Sequence, residues 1–147
     1  MLKPHTPVRS WLPYRWELLV WLWLAYFLNQ ADRQIFGVVL PLIKADLGLS
    51  NVQAGLIASV FLAAFGLVVP VAGYAGDAFS RKWIVVASLA GWSIATVLTG
   101  FGTGLVFLIV VRSLATGVGE AFYAPAAHAL IGEQHTETRG RALSLHQ

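Results

Sequence analysis

Four long apolar runs, separated only by short polar breaks, constrain this chain more than any other feature. They cover roughly residues 16–43, 52–75, 83–101 and 105–131. About 20 apolar residues are enough for a helix to cross the hydrocarbon core of a bilayer. The expected fold is therefore all-α: a polytopic transmembrane bundle of about four complete helices, with a fifth starting near residue 141. Composition agrees, since 57% of the 147 residues are hydrophobic and only 12% are charged, about half the usual share for a soluble domain. The lipid bilayer is thus the first partner. A cleavable signal peptide does not fit, because the first run is too long and further runs follow it.

The breaks give orientation. Residues 1–15 hold Pro4, Pro7 and Pro13 with Lys3, Arg9 and Arg15 and read as a polar, helix-poor, cytoplasmic lead-in. "KADLGLSN" follows the first run, and Ser50 or Asn51 can cap the next helix. "GDAFSRK", "GTG" and "GEQHTETRGR" are the later breaks. Lys3, Arg9, Arg15, Arg81, Lys82, Arg139 and Arg141 fall on one side of the membrane and Lys44 alone on the other. Seven against one predicts a cytoplasmic N-terminus. Trp11, Trp16, Trp21, Trp23 and Trp83 gather near the cytoplasmic ends as an aromatic belt. Gly55, Ser59, Ala63 and Gly66 form a small-residue stripe on the second run, which predicts close helix packing. Pro41, Pro70 and Pro125 are tolerated as kinks.

Other classes fall away. The pI of about 9.6 does not imply nucleic acid, because the basic residues are scattered in short breaks. With no cysteine, the redox compartment cannot be read. No metal-ligand spacing, nucleophile elbow or phosphate-cradling loop is present, so no metal, cofactor or enzymatic activity is expected.

The first run contains "YFLNQADRQIFGVVLPLI", with Asp32 and Arg33 adjacent inside it. A charge at bilayer depth costs about 2.5–3.5 kcal/mol on insertion scales. Arg112 and Glu120, in the fourth run, carry the same cost. At about 1.5 Å per residue, a four-member polar cluster near mid-membrane is geometrically possible. It is either a static lock between helices one and four or a site handling substrate and protons. On a helix, neighbours point about 100° apart. One arrangement turns Arg33, with Asn29 a turn before it, toward a central cavity, and leaves Asp32 near the contact with the fourth helix, where Arg112 or Glu120 can approach. Gln30 and Tyr123 are further lining candidates. His128 reads as a hydrogen-bonded interfacial residue rather than a proton relay.

"GYAGDAFSRK" (Gly73 to Lys82) resembles the signature between helices two and three of the major facilitator superfamily. Gly73, Asp77, Arg81 and Lys82 match it, whereas Ala78 and Ser80 replace the usual basic residue and glycine. "DRQIFGVVLPLIKADLGLSNVQAGLI", "GVGEAFYAP" and "TETRGRALSLHQ" resemble the spinster-like and anion:cation-symporter-like members. The resemblance implies two six-helix halves with substrate between them, of which this chain looks like an N-terminal portion, its C-terminal half missing. It implies a multi-pass protein, in a bacterial inner membrane, moving a small organic anion or amphipathic lipid with protons. Asp32 and Glu120 would then handle protons, while Arg33 or Arg112 would bind an anionic group bidentately. Asp77 would help hold the inward side closed. The family pattern puts the helix-four Arg seven residues before the Glu; here the spacing is eight. Eight residues leave the two about 80° apart on an ideal helix, so either Arg112 points elsewhere or "RSLATGVG" holds a π-bulge. The alternatives are a small four-helix membrane protein serving a partner subunit, and a membrane-embedded enzyme for which no catalytic constellation is present.

Overall fold

The computed structural model describes residues 13–147. Trp11 and most of the lead-in lie outside the described residues, but Tyr14 and Arg15 already belong to the first helix. Five helices follow one another: α1 (Tyr14–Asp46), α2 (Asn51–Ala78), α3 (Arg81–Thr99), α4 (Leu105–Gln134) and α5 (Arg139–His146). Among the described residues every element is helical. Three of them, α2, α3 and α4, are long and apolar enough to cross a membrane. At 33 residues α1 has the length, but Asn29, Gln30, Asp32, Arg33 and Gln34 dilute its hydropathy.

Local chemistry sets the ends. Gly48 has φ 63°, the left-handed conformation that suits glycine after a helix. Leu49 N–H then donates to Lys44 O at 2.9 Å, closing a Schellman-type turn. Ser50 caps α2: its hydroxyl accepts from Gln53 N–H at 3.2 Å, and the Gln53 side chain accepts from Ser50 N–H at 2.8 Å. This reciprocal box satisfies two orphan donors at the helix start. The break between α2 and α3 shrinks to Phe79 and Ser80, since Ala78 ends α2 and Arg81 begins α3.

α4 is the central rod, packed against α2 and α3 along its length and reaching α1 and α5. Two glycines allow this approach. A Cβ at Gly117 would lie 3.1 Å from Phe61 O on α2, and one at Gly119 would lie 3.2 Å from Trp92 N on α3. Ser113 Oγ donates to Ile57 O at 2.7 Å, so contacts 113–57 and 117–61 show α2 and α4 running parallel. The buried face of α2 is Ala54, Ile57, Ala64, Ala72 and Gly76. The small-residue stripe Gly55, Ser59, Ala63 and Gly66 is exposed instead. Spacing located a small face on α2, but the packed face is the neighbouring one, where Ile57 and Phe61 present their carbonyls to α4.

On the other side Tyr123 joins α4 to α1 and α3. Its hydroxyl donates to Leu22 O at 2.6 Å, and its ring meets Trp92 edge-on at 5.4 Å. The main core gathers here: Leu19, Leu22, Ala25, Val85, Trp92, Tyr123, Ala126, Ala127 and Ile131. The break between α4 and α5 is largely exposed, as its polarity implies, with one exception. His135 is buried, with Nε2 on Arg15 O at 3.0 Å, Nδ1 on Thr138 Oγ1 at 3.1 Å and Trp16 edge-on at 4.9 Å. A polar side chain that finds two partners can be buried, and this one ties the start of α1 to the end of α4. The other belt tryptophans, Trp21, Trp23 and Trp83, are exposed.

Candidate functional site

The four intramembrane charges form two crossed pairs between α1 and α4. Arg112 Nη1 donates to Asp32 Oδ2 at 2.6 Å. Arg33 Nε donates to Glu120 Oε2 at 2.7 Å, and an Arg33 Nη donates to the same oxygen. The adjacent residues Asp32 and Arg33 thus diverge to partners eight positions apart. Both partners face α1 because α4 is π-helical from Ile109 to Ala115. The wider turn absorbs one residue, so Arg112 and Glu120 share a face despite their spacing.

The two pairs differ in burial. Arg112 is 6% exposed and Asp32 19%, while Glu120 is 2% exposed and Arg33 34%. Aromatic rings line both guanidinium groups. Arg33 lies 5.0 and 5.3 Å from the Phe61 and Phe65 centroids, and Arg112 lies 4.3 Å from that of Phe36. Such contacts hold a cation without neutralising it. Sequence reasoning missed these three phenylalanines. The one available signal was the four-residue spacing of Phe61 and Phe65, which puts both on one helix face.

A cavity of about 190 Å³ adjoins the Arg33–Glu120 pair, lined by Tyr26, Asn29, Gln30, Tyr123 and His128 among others. Gln30 Nε2 donates to Tyr26 Oη at 3.2 Å. Asn29 Nδ2 and Glu120 Oε1 are buried without a protein partner, so this wall retains a free donor and a free acceptor. His128 lines the cavity and meets the His146 ring edge-on at 5.5 Å. His146, which the sequence did not single out, is buried and shares Nε2 with Tyr123 Oη at 3.2 Å. A second cavity of about 330 Å³ opens between α1 and α2. Phe36, Gly37, Leu40, Ile57 and Phe61 make its walls apolar, with Arg33 and Arg112 at its edge. Arg33 therefore stands at the junction of a polar and an apolar space. It is not unpartnered, as a ready anion site would require, because Glu120 holds it.

The α2–α3 corner is a separate feature. Arg81 donates to Gly76 O at 3.1 Å, pairs with Glu133 on α4, and lies 3.4 Å from Asp77. Asp77 is 82% exposed, and Lys82 is exposed as well. Gly73 sits inside α2. Glu133, absent from the sequence expectation, is the firmer partner of Arg81.

Residues 22–147 match the family model described as Major Facilitator Superfamily. Protein spinster homolog 1 of Xenopus laevis is 33% identical over 95% of this chain and 27% of its own length. The sphingosine-1-phosphate transporter SPNS2 of Mus musculus is 36% identical over 83% of this chain and 23% of its own. The probable sulfoacetate transporter SauU of Cupriavidus necator is 35% identical over 71% and 24%. The chain thus spans about a quarter of the length of the curated relatives it matches. Compared with the solved structures, it finds no match. Its helical architecture, its intramembrane charges and this family match agree: the chain is an integral, multi-pass membrane protein that belongs to the Major Facilitator Superfamily.

Proposed function

We propose that this chain forms one wall of a secondary active transporter for an organic anion, with Arg33 as the anion-binding group and Glu120 and Asp32 as the groups that exchange protons. The observation that carries the reading is the Arg33–Glu120 pair at the edge of a polar cavity. A single guanidinium fork there is held by one carboxylate oxygen. An incoming carboxylate, sulfonate or phosphate offers the same acceptor geometry. Substrate that takes Arg33 releases Glu120, whose carboxylate is then free to accept a proton. Substrate and proton would thus exchange at one pair. Asn29 and Tyr123 would orient the substrate, and Asp32 would repeat the exchange with Arg112.

An amphipathic lipid is the favoured anion. The apolar cavity beside Arg33 and Arg112 can take a hydrocarbon chain while the head group stays in the polar cavity. The relatives named as carrying sphingosine-1-phosphate and sulfoacetate offer two probes, one with such a chain and one without. In this reading the N-terminus, the Asp77–Lys82 corner and the Gly132–Arg141 segment are cytoplasmic, in a bacterial inner membrane. The opposite wall of the cavity would come from further helices, such as those in the relatives, which are about four times longer. The test is uptake of labelled sphingosine-1-phosphate and of sulfoacetate into proteoliposomes, with and without a proton gradient. Uptake that needs the gradient and is lost in Arg33→Gln supports the proposal. Gradient-independent binding of neither probe refutes it and favours a partner-subunit role.

A further inference from the structure

The π-helical stretch of α4 has two hydroxyls with unusual destinations. On ordinary turns of this protein, Ser88 and Thr99 donate to the carbonyls four residues back, Ile84 O and Ala95 O, each at 2.8 Å. Thr116 Oγ1 instead donates five residues back, to Val111 O, at 3.1 Å. The Thr116 N–H is shared between that carbonyl and Ser113 O. That reach exists only across a π turn. Ser113, fully buried, bypasses its own helix and donates to Ile57 O of α2 at 2.7 Å. One hydroxyl thus clasps the wide turn from within, and the other pins it to its neighbour. Leu114 and Ala115, between them, are exposed. The surplus residue therefore bulges on the side away from the buried contacts.

We propose that Ser113 and Thr116 are positioning residues: together they hold one surplus residue in the π turn, and this sets the register that turns both Arg112 and Glu120 toward α1. A π-bulge inside an α-helix is rare and marks functional positions more often than chance. Without it, the eight-residue interval would swing Arg112 about 80° from the Glu120 face, and Asp32 would lose its partner. Removing one residue from the bulge makes the interval seven, about 20° short of two full turns, so a plain α-helix restores the same face. The use of this register in substrate and proton exchange rests on the function proposed above, but the register itself does not.

The test reads the Asp32–Arg112 coupling directly and needs no substrate. Thermal midpoints of the full chain in detergent micelles are measured for Asp32→Asn, Arg112→Gln and the double variant. In the parent, the double variant should lose less than the sum of the singles. With Ser113→Ala and Thr116→Val together, the losses should become additive. With Thr116→Ser, which keeps the hydroxyl, the coupling should stay. Deleting Ala115 from the Ser113→Ala/Thr116→Val chain should bring it back. Coupling that persists without the hydroxyls, or that fails to return on deletion, overturns the proposal. If the hydroxyl-free chain does not fold, deleting Ala115 from the parent decides the matter. Retained coupling there supports the register account, and lost coupling refutes it. Failed uptake with intact coupling would instead count against the transport reading alone.

Discussion

Asp32→Asn should be the most damaging single change among the four intramembrane charges, and the reason is the chemistry of its partner. Arg112 is 6% exposed, and among the described residues Asp32 is its salt-bridge partner. A guanidinium cannot shed its proton, so the substitution strands a buried cation. Removing one partner of a buried pair costs about 3–5 kcal/mol. The Phe36 ring at 4.3 Å offsets part of this without supplying negative charge. Glu120→Gln strands Arg33 instead, but that side chain is 34% exposed and lies against two rings, so it reaches water. The cost there should fall to roughly 1–2 kcal/mol, between exposed-pair and buried-pair values. At about 2–4 °C per kcal/mol for a chain of this size, the thermal midpoint should drop by roughly 6–20 °C for Asp32→Asn and roughly 2–8 °C for Glu120→Gln. Neutralising both members, as Asp32→Asn with Arg112→Gln, leaves no stranded charge at that pair and should recover at least half of the larger loss. The assay is thermal unfolding followed by circular dichroism in one detergent at one pH. Equal drops for the two single variants, or no recovery in the double one, would refute the argument from burial.

Three further outcomes are expected. Cysteines placed at Ser80 and at the exposed Asp46 should react with a membrane-impermeant maleimide from opposite sides of the bilayer; reaction from the same side would reverse the topology. Asp77→Asn should change the midpoint by no more than about 0.5 kcal/mol in stability terms, as for an ordinary surface site, because Asp77 is 82% exposed; its effect should show in transport rate, and a variant with parental uptake would leave the corner only a topological role. Gly119→Val should cost about 1–3 kcal/mol by overpacking, since even a Cβ there lies 3.2 Å from the Trp92 backbone; an unchanged midpoint would mean that α3 moves away freely.

The helices were readable because hydrocarbon permits few alternatives. An apolar run of membrane length dictates the element, and of the two cap candidates, Ser50 and Asn51, it is Ser50 that caps α2, with Gln53 completing the box. Helix faces were less readable. On α2 the stripe of Gly55, Ser59, Ala63 and Gly66 has packing periodicity, yet it is exposed. Periodicity names a face and not its neighbour, and in an all-apolar helix polarity gives no second vote. Burial of His135 was hidden for a similar reason: the Arg15 carbonyl it bonds lies 120 residues away in sequence, next to the Trp16 ring it meets.

The charges at the centre show where sequence reasoning stops and why. Four charges of balanced sign predict compensation, but not which pairs form. Asp32 had two candidates in reach, and Arg33 looked free to meet a substrate. The pairing was decided by backbone geometry that no side-chain pattern encodes outright. The π turn from Ile109 to Ala115 rotates the end of α4 so that Arg112 and Glu120 line up, and the reach of each arginine then assigns the partners. The odd interval of eight residues was the trace this left in the sequence. Its cost as strain is offset by two hydroxyls, Ser113 and Thr116, which read as ordinary small polar residues until the helix around them is known. A spacing that breaks an expected period is therefore better treated as a measurement of local backbone geometry than as noise, because membrane helices have few other ways to turn a side chain without losing hydrogen bonds.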